Sequence, residues 1–137
     1  MSQTLSSDIK NRLQLALLSL RLGVFIVFFM WVMDKFFRPE HTAIVLKVFY
    51  GMSETPTTIV YIIGAVQLLL LLAFVSGVKK RLTYGVIFVM HAISTIATYE
   101  KYIDGLNNLL FFAAWPMLAA CFALYILRDE DVKFTIK

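Results

Sequence analysis

Apolar residues fill four long stretches of the chain, at 13–33, 57–77, 82–99 and 107–127, and polar residues gather in the intervals between them. Each stretch comes close to the roughly 20 mainly apolar residues that a helix needs to cross about 30 Å of hydrocarbon. The pattern therefore predicts four membrane-spanning helices. The interval 34–56 carries a further element. Pro39-Glu40 supplies a helix start, with proline in the first turn and an acid at the positive end of the dipole. Gly51 supplies a stop, and residues 41–50 are mostly apolar but too few to span, as in a helix lying in the interface. Thr55-Pro56 predicts the next start, with threonine as cap and proline in the first helical position. Ser76-Gly77 predicts its end.

The expected fold class is all-α: an integral membrane four-helix bundle forming one domain over 1–137, with a short interfacial helix between transmembrane helices one and two. Composition agrees, since 60% of the residues are hydrophobic and 16% are charged, against about a quarter charged in soluble domains. The net charge of +4 is explained by topology, which removes the case for a nucleic-acid partner. Lys10, Arg12, Lys79, Lys80, Arg81, Arg128, Lys133 and Lys137 fall on one side of the predicted spans, and only Lys35, Arg38, Lys47 and Lys101 on the other. The positive-inside rule then places both termini in the cytoplasm. Lys10 and Arg12 ahead of an apolar run resemble a signal peptide, but the run is too long and ends at Trp31-Val32-Met33-Asp34 without small residues, so a retained anchor is expected. Cys121 is the single cysteine, which excludes an intramolecular disulfide or a dithiol relay.

Within the spans three features stand out. Ala16, Ser19 and Gly23 form a small-residue stripe on which another helix can approach closely. Pro116 withholds an N–H from the carbonyl of Phe112, which predicts a donor from a neighbouring helix or water. Above all, Arg21 lies inside the first apolar run, where a charge costs about 3 kcal/mol on insertion scales. Counting from the span ends puts Gln67 and His91 near the centres of their helices, with Arg21 about 3 Å to the cytoplasmic side of the centre of its own. Arginine offers donors only, while glutamine offers a carbonyl and neutral histidine a ring nitrogen, so the three are able to satisfy one another. Every carboxylate is expected nearer the surfaces, which leaves a carbonyl-bearing or anionic ligand, water, or snorkelling to the cytoplasmic face as the partner of Arg21. Arg21, Gln67 and His91 are accordingly the candidate cofactor-binding residues.

A second polar set, Asp34, Lys35, Glu40, His41, Glu100, Asp104, Asn107 and Asn108, gathers at the outer mouth and reads as a solvated rim. No metal site is expected, because no His-x-x-x-His or Glu-x-x-His spacing occurs and His41 is the one histidine there. A bis-histidine haem is disfavoured by the depth difference between His41 and His91. Aromatic residues are abundant and compatible with a quinone pocket, though lipid contact explains them equally well.

Arg21-Leu22-Gly23, the Lys35-Phe36 pair beyond it, a polar residue midway along the second span and the four-helix length resemble the DoxX-like family of small bacterial membrane proteins. The sequence departs from that pattern at Met33-Asp34, where a glycine often precedes the lysine, and at Gln67, where an acid is frequent. The resemblance implies a place in the bacterial inner membrane and a group that includes membrane subunits of thiosulfate:quinone oxidoreductase, components of oxidative-stress assemblies and assembly factors. Three functions follow as alternatives. The first is a quinone- or lipid-binding subunit of an oxidoreductase or oxidative-stress complex, with Arg21 on a ring carbonyl and His91 as proton donor. The second is a non-enzymatic scaffold or assembly factor, and the third a small oligomeric transporter, which lacks the embedded carboxylate that proton coupling requires. A homo-oligomer or partner membrane or peripheral subunits are expected in each case, because four helices enclose little interior.

Overall fold

Ser6 opens the first helix as its cap, accepting the Ile9 N–H at 3.3 Å, and Asp8 follows in the first turn. In the computed structural model, which describes residues 5–136, this helix α1 (Ser7–Phe37) runs unbroken for 31 residues. It is followed by α2 (Pro39–Tyr50), α3 (Thr57–Ser76), α4 (Lys80–Ala97), α5 (Tyr99–Ile103) and α6 (Ala114–Ile126), with 3₁₀ turns at Gly105–Asn107, Leu109–Ala113 and Arg128–Glu130. No strand occurs among the described residues. Three segments, Ser7–Phe37, Thr57–Ser76 and Leu109–Ile126, are long and apolar enough to cross a membrane. α4 is as long as the last of these, but Lys80, Arg81, Tyr84 and His91 lower its hydropathy.

The punctuation largely follows local chemistry. Pro39 occupies the start of α2, and Gly51 (φ 69°) and Gly77 (φ 76°) end α2 and α3 in the left-handed conformation that glycine adopts without a Cβ penalty. Two expectations are corrected. Pro56 is itself the cap position of α3, and the Thr55 hydroxyl makes no hydrogen bond among the described residues. Pro116 lies in the first turn of α6, where a missing N–H costs little. The chain ahead of it is 3₁₀, so the Ala114 N–H reaches the carbonyls of Phe111 and Phe112 and no donor from another helix is needed for Phe112.

α1 packs on α3 and α6, and α4 closes the ring against the same two helices, with α2 laid across α1 and α3. Leu17, Val24, Val32, Leu71, Phe74, Ile87 and Leu124 fill the core. Close approach occurs at Gly64, where a Cβ would stand 3.1 Å from the Phe36 ring, and at Gly85, where one would stand 3.1 Å from the Tyr125 ring. The Ala16, Ser19 and Gly23 stripe instead faces outward, and a Cβ on Gly23 would meet nothing within 4 Å. The outer surface is apolar along every long helix, with Ile26, Met30, Val66, Leu69, Val89 and Phe122 all exposed. Apolar side chains exposed along each long helix are compatible with a hydrocarbon environment.

Candidate functional site

The register of the helices decides where Arg21 lies. Phe74 of α3 packs on Tyr84 of α4 at a ring separation of 5.0 Å, and Tyr84 shares a hydrogen-bonded cluster with Arg21. Phe28 of α1 meets the edge of His91 at 6.2 Å. From Arg21 to Phe28 and from Tyr84 to His91 the offset is seven residues, or about 10 Å along each helix. Gln67 precedes Phe74 by the same offset. Gln67 and His91 thus share a level, and Arg21 lies about two turns away from it, toward the turn that joins α3 to α4. Arg21 therefore does not join them in one layer. Counting along its own apolar run misplaces its depth, because α1 begins well before the helices it packs on, and residues 5–12 are exposed.

Arg21 is nonetheless buried, at 1% exposure, and its partner comes from the C-terminal tail. Nη1 donates to Asp131 Oδ1 at 2.7 Å, and Nη2 donates to the carbonyls of Lys133 and Phe134. The second carboxylate oxygen of Asp131 accepts from the Tyr84 hydroxyl at 2.7 Å, while the Lys80 ammonium donates to the Asp131 carbonyl. Asp131 is fully buried. The expectation that no carboxylate reaches this arginine is overturned: the tail turns back under the bundle, fixed also by the Ile136 N–H on the Ser76 carbonyl at 2.7 Å. A buried charge pair of this kind needs its remaining lone pairs and protons satisfied. Here only Arg21 Nε lacks a partner among the described residues.

The other two candidates are occupied differently. His91 is half-buried, and its Nε2 lies 3.0 Å from the Ala114 carbonyl, which joins α4 to the start of α6. Because the carbonyl only accepts, Nε2 carries the proton. Gln67 is half-buried and makes no hydrogen bond among the described residues. Neither touches Arg21 through a polar contact.

Chemistry that sequence reading assigned to a solvated rim is organised at the opposite end. Asp34, in the last turn of α1, accepts from Arg38 Nε at 2.7 Å and from His41 Nδ1 at 2.5 Å. The side chain of Asp34 is 9% exposed and that of His41 is 39% exposed. An ionised carboxylate accepts only, so Nδ1 holds the proton and Nε2 is left as the free face of the imidazole. Trp31 stacks on the His41 ring at 6.2 Å and an interplanar angle of 17°. Around this pair opens a cleft of about 360 Å³ with apolar walls of Met30, Trp31, Met33 and Phe37 and with Asp34, Arg38 and His41 as its polar groups. Lys35, next in sequence, is buried and donates only to the Trp31 carbonyl at 3.3 Å. The signal for this site was spacing: Asp34, Arg38 and His41 recur at helical intervals across the break at Pro39, which turns α2 so that His41 comes back over the end of α1. No group of three or more histidine, cysteine or acidic side chains able to hold a metal occurs among the described residues.

Comparison with protein-family models, with curated proteins and with solved structures gives no match.

Proposed function

We propose that this chain is a four-span integral membrane protein with both termini in the cytoplasm. It binds a carbonyl-bearing, lipid-soluble ring of the quinone class in the cleft over Asp34 and His41, as the membrane subunit of an oxidoreductase or oxidative-stress complex. The observation that carries the reading is the Asp34–His41 pair, whose imidazole is oriented by a half-buried carboxylate and lines an apolar, aromatic-walled cleft. Its volume falls in the range of about 300–1,000 Å³ typical of small-molecule sites, and a few fixed polar groups among apolar walls are the usual composition of such sites. A quinone accepts two electrons and two protons on reduction. His41, protonated from solvent at Nε2, delivers one proton to a reduced ring oxygen and returns to the neutral form with its Nδ1–H on Asp34, the second proton comes from water at the open mouth of the cleft, and Arg38 stays paired with the Asp34 carboxylate throughout. The electrons come from a partner subunit carrying a redox group, because Cys121 is the sole thiol of the chain. The DoxX-like resemblance at Arg21, Gly23 and Lys35 supports the bacterial inner-membrane location and the role as a subunit of such a complex, while the cleft rests on Asp34 and His41 alone.

The test is titration of the purified protein in nanodiscs with a short-tailed benzoquinone, followed by quenching of Trp31 emission in a Trp115→Phe background. Binding is expected, weakened about tenfold by His41→Gln and unchanged by Gln67→Leu. Quenching that is absent, or equal in wild type, His41→Gln and Asp34→Asn, overturns the proposal.

One observation favours a scaffold as the second reading. The connection between α5 and α6 exposes Ile103 at 81%, Leu106 at 89% and Leu110 at 90%, which suits contact with a partner subunit. Cross-linking in native membranes that recovers only the lone chain would count against it.

A further inference from the structure

At the end of the molecule opposite the Asp34–His41 cleft, four basic residues converge around a single acid, Asp129, with which none of them is ion-paired. Lys79, Lys80 and Arg81 come from the α3–α4 turn and the start of α4, and Arg128 from the turn after α6. They line one open cavity of about 700 Å³, together with Leu82, Tyr125 and Asp129. None of the four is ion-paired among the described residues. Among the described arginines, Arg12, Arg21 and Arg38 each hold a carboxylate, whereas Arg81 and Arg128 do not. Lys80 and Arg128 are held in place by backbone carbonyls, of Asp131 and of Tyr125, so their positions are fixed while their charge is not cancelled. The Arg128 guanidinium also sits over the Tyr125 ring at 4.7 Å. The first turn of α4 contains no acid and no side-chain cap, which adds the positive end of an 18-residue helix to the same space.

From these groups we propose that the cavity binds the phosphate of an anionic phospholipid, with the acyl chains running up the seam between α4 and α6. That seam is built for it. Leu82 at the cavity mouth is 61% exposed, and Phe122 and Ile126 on α6 are about half exposed just above. Phe88 packs against both Tyr125 and Phe122, at 6.1 and 5.8 Å, which makes the groove floor a continuous aromatic surface leading away from the charges. A headgroup in a basic pocket between spanning helices with its tails along apolar side chains satisfies both solvents at once. The inference takes from the proposed function only that these helices sit in a bilayer. A null result at Asp34 and His41 leaves it standing.

Native mass spectrometry of the full chain released from nanodiscs of mixed phosphatidylglycerol and phosphatidylcholine reads the site directly. Selective retention of phosphatidylglycerol is expected. The double variant Lys79→Gln with Arg81→Gln should lower it roughly thirtyfold, since each basic residue lining the cavity contributes about fivefold to holding the headgroup. The charge-matched pair Lys10→Gln with Lys133→Gln should leave it within about twofold of wild type. Equal loss in both double variants, or no preference for the anionic lipid in wild type, overturns the proposal. Displacement of the lipid by inorganic phosphate alone at about millimolar levels, with the same dependence on Lys79 and Arg81, reassigns the cavity to a free phosphate and overturns the lipid assignment.

Discussion

Arg21 and Asp131 stand 110 positions apart in the chain and 2.7 Å apart in the fold, with side chains 1% and 0% exposed. The pair locks the end of the chain beneath the bundle, because the same carboxylate takes the Tyr84 hydroxyl and the adjoining carbonyls take the second arm of the guanidinium. Breaking a buried pair from one side leaves the other charge stranded, which costs about 3–5 kcal/mol. Asp131→Leu and Arg21→Met should each lower unfolding stability in mild detergent by that order, read from the thermal midpoint or from SDS titration. Arg21→Met combined with Asp131→Leu should recover most of the loss, because replacing both charges with apolar groups removes the desolvation penalty. A double variant as unstable as the sum of the singles would show that the pair contributes more than mutual neutralisation.

Tyr84→Phe isolates one bond of the same cluster. The ring packing on Phe74 is kept, and only the hydroxyl that donates to Asp131 Oδ2 is lost. An unsatisfied buried carboxylate oxygen costs about 1–3 kcal/mol. The loss should vanish in a background that lacks the acceptor, and a double-mutant cycle with Asp131→Leu measures the coupling, because an asparagine there would keep a carbonyl oxygen for the Tyr84 hydroxyl.

The helices were legible from hydrophobic runs, and the short α2 from Pro39 and Gly51, because these signals are local. Depth was not. Arg21 was placed against its own apolar run, whereas α1 extends past its neighbours and the level of Arg21 is set by Phe74 and Tyr84 on other helices. Asp131 is among the carboxylates expected near the surfaces, because its position beyond the last apolar run carries no local signal that the tail turns back inward. A weak signal was present in the alternation of Asp131, Lys133 and Thr135 with the more exposed Val132, Phe134 and Ile136. That period of two places polar side chains against the bundle and apolar ones outside, the reverse of a strand on a water-soluble core. Asp34 and His41 are legible only as two members of the outer polar set, since their pairing depends on the break between α1 and α2 at Arg38.

Cys121 provides a label-based check of the core. It is 2% exposed among Leu17, Leu71 and Leu124 of the buried cluster, and it is the single cysteine. Maleimide modification of the folded protein in mild detergent should be about a hundredfold slower than in SDS, because reaction requires opening of the helix ring. Asp131→Asn should speed it by releasing the tail end of α6. Modification at the denatured rate in the native protein would refute the packing of α6 against α1 and α4.

Gly77 tests how the tail is seated. It ends α3 at φ 76°, and a Cβ added there would fall 2.7 Å from both Cβ and Cγ2 of Thr135, so two separate penalties act on Gly77→Ala. The left-handed backbone costs an alanine about 1–2 kcal/mol wherever the tail lies. The clash acts only while the tail is docked, and the far side of the contact is a β-branched side chain that cannot swing its Cβ aside. Gly77→Ala should therefore destabilise the protein and also expose Lys133 to trypsin faster than wild type. Adding Thr135→Gly removes the clashing atoms but not the backbone strain, so proteolysis at Lys133 should return to near the rate of Thr135→Gly alone while part of the stability loss persists. If both effects persist in full, strain at Gly77 is the whole cause and Thr135 does not rest against it. If both vanish, the turn after α3 tolerates alanine, and the tail contact alone accounts for the glycine.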